Sequence, residues 1–111
     1  MTLVAYERSV ADLVTGRRMP VTHGEAVVRW SVLSWASLGL RQVCPLTTSI
    51  LAERGRLDQA IAAHVAIGGR PLSPHAWGRA FVAEFLTDAD SSVAAAAALE
   101  YAVLSRLAGE A

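Results

Sequence analysis

The chain has 111 residues, 53% of them hydrophobic, with ten arginines, no lysine and ten acidic residues, so its formal net charge is zero. That length supports one domain, taken as residues 1–111, around one modest core, and the balance lacks the basic surplus by which typical nucleic-acid binders hold phosphates. A single cysteine rules out an internal disulfide, no stretch reaches the ~18 uncharged apolar residues of a membrane span, and Glu7 and Arg8 interrupt any signal-like run, so the expected home is the cytoplasm.

The first element is expected from Thr2 to Thr15, with Leu3, Tyr6, Val10, Leu13 and Val14 on one stripe and Gly16 as its stop. Thr22 with Glu25 three positions later has the form of a capping box and opens a second helix, which must end near Pro45. Apolar side chains point almost all round that helix, so it is expected to be central and buried. Trp30 and Trp35 project about 140° apart at 100° per residue and cannot stack on each other. One is expected inside the domain and the other against a second layer or another subunit.

The third segment supports two readings. As one helix from Thr48 to Ile67, it aligns Ile50, Leu57, Ile61, His64 and Val65 on one face. As a helix-turn-helix over residues 48–66 it breaks at Gly55, but the second half, "DQAIAAHVAI", carries no arginine or lysine for phosphates or guanine edges. Ser73 and Pro74 then form a clear helix start, followed by Trp77, Phe81 and Phe85 as an aromatic ridge at every fourth residue. A last helix begins at Asp88, Asp90 or Ser91. It has an apolar arc of Val93, Ala96, Leu99, Val103, Leu104 and Leu107, interrupted by Glu100, and a small-residue face of Ala94, Ala98, Ala102 and Ser105. Glu100 is expected at the edge of the arc, or buried against an arginine. The expected fold is all-α: a compact bundle of about five helices with the apolar second helix at its centre.

Chemical signatures are sparse. Cys44 sits at a helix C-terminus, where the dipole opposes a thiolate, and reads as a small buried residue. His23, His64 and His75 share no metal-ligand spacing, and His64 reads as a hydrogen-bonded core residue. No metal site, cofactor fingerprint or catalytic constellation stands out, which weighs against an enzyme. "GGRPLSPHAW" leads into a helix N-terminus where Gly69, Arg70, Ser73 and His75 form a weak candidate anion site.

The remaining signal is apolar excess, with a mean hydropathy of +0.36. It points to protein–protein contact: a homo-oligomer, or an adaptor or subunit of a larger complex, with Trp30, Trp35, Trp77, Phe81, Ala94, Ala98 and Ala102 as interface candidates. The alternatives are a DNA-binding regulator using residues 48–66 and a small anion-binding bundle around Arg70 and His75. Charge is also unevenly placed, with seven arginines against four acids in residues 1–56 and three against six in residues 57–111. Such polarity can orient head-to-tail association.

Overall fold

The computed structural model describes residues 2–14, 16–67 and 73–109. These residues form six helices: α1 (Leu3–Val14), α2 (His23–Val43), α3 (Pro45–Glu53), α4 (Leu57–Ile67), α5 (Pro74–Ala83) and α6 (Ser91–Leu107). There is no strand among them. The architecture is all-α, with one helix more than the spacing of breakers suggests.

The extra helix comes from Gly55. Its φ of +68° ends α3 in a left-handed turn that favours glycine. The Arg56 amide donates to Leu51 O at 2.8 Å and the Gly55 amide to Ala52 O at 3.0 Å, the paired bonds of a Schellman stop. The unbroken helix over 48–67 is therefore replaced by two helices with a three-residue turn. Pro45 also has two roles, since it closes α2 and occupies the first position of α3.

Local caps hold the other starts. Thr22 Oγ1 accepts from the Glu25 amide at 3.1 Å, while Glu25 Oε1 accepts from the Val21 amide at 3.0 Å. Arg18 completes that junction, donating to Glu25 Oε2 at 2.6 Å and to Ser9 O at 3.1 Å, so the α1–α2 loop is tied to both helices. The Val21 amide and then Arg18 pull the Glu25 carboxyl below its ordinary pKa. Ser73 and Asp90 cap α5 and α6.

The core is built by α3, α4, α5, α6 and the C-terminal half of α2, around Leu40, Leu51, Leu57, Ile61, Phe81, Val82, Val93 and Leu104. Helix α2 packs against α1, α3, α4 and α5 and is central in that sense. It is not a buried helix: only Ala36 and Leu40 of its 21 residues are buried. Its N-terminal half and α1, which buries only Leu13, form a two-helix arm beside the body. The radius of gyration is 15.2 Å and the extents are 46 × 31 × 21 Å, against about 13 Å for a compact chain of this length. The expected compact bundle is thus an elongated one.

The phase of α6 also differs from the expected arc. Val93, Ala96, Ala97, Glu100 and Leu104 face inward, while Leu99, Val103 and Leu107 are exposed. Glu100 decides this register. Its carboxylate accepts from the Leu46 amide at 3.0 Å and the Thr47 amide at 2.7 Å, so it caps α3, whose own N-cap residue supplies no side-chain bond. Glu100 lies neither at a wet edge nor against an arginine; its oxygens serve the buried Thr47 amide and the part-buried Leu46 amide.

Two ion pairs fasten the α3–α4 turn to the α5–α6 turn. Arg56 reaches Asp88 through two bonds of 2.7 and 3.0 Å, and Arg54 Nε meets Asp90 Oδ2 at 2.8 Å. Part of the charge asymmetry between the halves is therefore neutralised inside the chain. Arg56, and then the Asp90 amide, lower the Asp88 carboxyl from 3.8 to about 2. A depressed folded-state pKa contributes stability that is present above pH 3.8 and lost as pH falls toward 2. Melting curves of the parent chain and Asp88→Asn should differ most above pH 5 and converge near pH 2. A constant difference across that range would remove this linkage.

Candidate functional site

The densest unpartnered apolar surface lies on the arm and continues along α2. Trp30 is 69% exposed and Trp35 is 74% exposed, so neither enters the core. This corrects the expectation that one of them packs inside. Leu3, Val4 and Tyr6 of α1 and Val27, Val28 and Val32 of α2 are exposed as well.

The two tryptophans do not stack; they wall a groove. Ser31, Ser34 and Leu38 lie between them around a space of about 240 Å³. Short serines flanked by indoles leave room for a ridge from another helix. A second groove, of about 510 Å³, runs between α2 and α4. Trp30, Leu33 and Leu38 line one wall and Ile61 the other, with Arg41 on the α2 side and Asp58 on the α4 side. Trp30 borders both grooves.

The other interface candidates separate. Phe81 is fully buried and belongs to the core, so it is withdrawn as an interface residue. Trp77 is half-buried, packs beside Gly39, and has its ring 5.5 Å from His64. It too contributes mainly to the core. Ala98 and Ala102 are exposed and Ala94 half-buried, next to the exposed Leu99 and Val103. Leu99 and Val103 were not read as surface, because they fall on the apolar arc with Val93, Ala96 and Leu104.

His64 is a core histidine. Its Nδ1 lies 3.1 Å from Glu84 Oε1, its ring packs edge-on to Phe81, and its buried Nε2 has no hydrogen-bond partner among the described residues. No group of three His, Cys, Asp or Glu side chains that could hold a metal occurs among the described residues. Cys44 is buried and donates through Sγ to Leu40 O at 3.0 Å. Burial, and then Glu100, push its pKa up to about 12, which opposes nucleophilic use.

The candidate anion site is only partly described. Ser73 Oγ accepts from the Ala76 amide at 3.1 Å as a cap, and His75 is half-buried in the first turn of α5. Gly69 and Arg70 lie outside the described residues. No helix of the described chain is long and apolar enough to cross a membrane. Comparison with protein-family models, with curated proteins and with solved structures found no match.

Proposed function

We propose that this chain is a small cytoplasmic assembly subunit that self-associates through the α1–α2 arm. The observation that carries the reading is the pair of exposed indoles, Trp30 on the two-helix arm and Trp35 just beyond it on α2, with only one buried side chain in α1. Twelve-residue helices with so little burial are marginal on their own.

Area supports a second copy as the cover. The chain exposes 7149 Å², whereas a folded monomer of its mass is expected to expose about 5,900 Å². The excess, roughly 1,200 Å², exceeds the ~800 Å² that each partner buries in a standard stable interface. Two arms laid together would form a four-helix arrangement with the tryptophans between them. The single buried thiol suits a reducing compartment such as the cytoplasm.

A second reading has one observation in its favour. The three-residue glycine turn between α3 and α4 suits a helix-turn-helix. Against it, α4 carries Asp58 and no arginine or lysine, and both turn arginines are held by aspartates. Duplex-DNA binding at low salt that Arg54→Glu and Arg56→Glu abolish would restore that reading.

Light scattering over a concentration series tests the assembly reading. The parent chain should form a dimer, and Trp30→Ala with Trp35→Ala should weaken it about 100-fold or more while leaving the helical circular dichroism unchanged. A parent chain that stays monomeric at every concentration overturns the proposal.

A further inference from the structure

We infer that the partner is a second copy docked about a two-fold axis running along the α2–α4 groove, with Arg41 of each chain against Asp58 of the other. This rests on the self-association reading and specifies its register.

The groove carries one charge of each sign, and neither has an ion-pair partner among the described residues. Asp58 stands in the first turn of α4 and Arg41 in the last turn of α2. Both line the groove, yet they make no salt bridge with each other. Arg41 Nε donates to Ser37 Oγ at 3.2 Å, which engages that nitrogen on its own helix and leaves the two terminal nitrogens for other acceptors. By contrast, the arginines and acids at the α3–α4 turn are already matched inside the chain.

A surface that binds its own copy must be self-complementary: where one residue meets another, the reverse contact occurs too. A groove with a cation on one wall and an anion on the other meets this condition. An axis lying between the walls carries α2 over the second copy's α4 and makes two equivalent Arg41–Asp58 pairs. The apolar lining, Trp30, Leu33, Leu38 and Ile61, then becomes the dry centre between those pairs. From Trp30 to Arg41 the α2 wall extends about 16 Å at 1.5 Å per residue, so the axis runs along the helix. The two arms consequently leave the dimer on the same side.

Charge exchange tests the register. Arg41→Glu alone and Asp58→Arg alone each place like charges across the interface and should raise the dimer dissociation constant about tenfold or more. The double variant restores opposite charges in reversed order and should return to within about threefold of the parent value. Mixing the Arg41→Glu chain with the Asp58→Arg chain also sets opposite charges at both contacts of the mixed dimer, and tighter association there than in either variant alone cannot come from a contact within one chain. Single variants with the parent constant, or a double variant weaker than both, overturn the register. If Trp30→Ala with Trp35→Ala still breaks the dimer in that case, self-association stands and only the register falls; a monomeric parent removes both.

Discussion

Glu100→Ala should cost about 3–5 kcal/mol of folding stability, a large share of the ~5–15 kcal/mol typical of a domain. The carboxylate is the acceptor for the first free amides of α3, at Leu46 and Thr47. Without it, a buried donor loses its partner, at about 1–3 kcal/mol for each such group, and the truncated side chain leaves a cavity. The neighbouring Cys44, Thr47 and Thr48 are all buried, so water has poor access to substitute. Glu100→Gln keeps one oxygen for one amide but turns its NH₂ toward the other, and should cost about 2 kcal/mol. Denaturant unfolding reads both values from the shift of midpoint at constant slope. A loss below about 1 kcal/mol for the alanine variant would mean that the α3 amides find other acceptors.

Gly78→Ala is the second large effect, in the opposite geometric sense. Gly78 lies where α5 passes close to the end of α2 and to α6. A Cβ placed there would lie 2.6 Å from Val43 Cγ2 and 3.4 Å from Leu104 Cδ1. The first distance cannot be accommodated without moving Val43, so α5 must shift away from α2 or Val43 must leave its rotamer. Alanine is ordinarily a gain in a helix interior, by about 1 kcal/mol over glycine. Overpacking should outweigh that gain and leave a net loss of about 1–3 kcal/mol in thermal or denaturant unfolding. Val43→Ala added to Gly78→Ala removes the colliding methyl and should recover part of the loss, a coupling that two independent substitutions would not show.

The legible parts of this fold are those set by neighbours in sequence. Thr22, Glu25 and Ser73 mark helix starts and make the cap bonds their residue types favour, Pro74 takes the first position of α5, and of Asp88, Asp90 and Ser91 it is Asp90 that caps α6. Gly55 was legible as a possible break but not as the certain one, because the apolar phase of residues 50–65 also fits an uninterrupted helix. The break also brings Arg54 to Asp90 and Arg56 to Asp88, pairs that join residues 36 and 32 apart. Helix periodicity carries no information about such partners.

The surface of α2 shows the same limit from another side. An all-round apolar helix says that water must be excluded, not which chain excludes it. Trp30 and Trp35 both stand exposed, and their joint exposure depends on how little the body and α1 cover α2. On α6 the apolar arc held two adjacent phases, and a polar residue, Glu100, chose between them by reaching the amides of α3. A carboxylate on an apolar face reads as an intruder until its acceptors' partners are known.

That bond also orders events in time. The Glu100 contacts join residues 53 and 54 apart, so α3 emerges during synthesis long before the residue that caps it. A nine-residue helix is too short to persist alone. The middle of the newborn chain therefore has no durable α3 until its last long helix is made, and the exposed indoles of α2 precede any finished body to which they could belong.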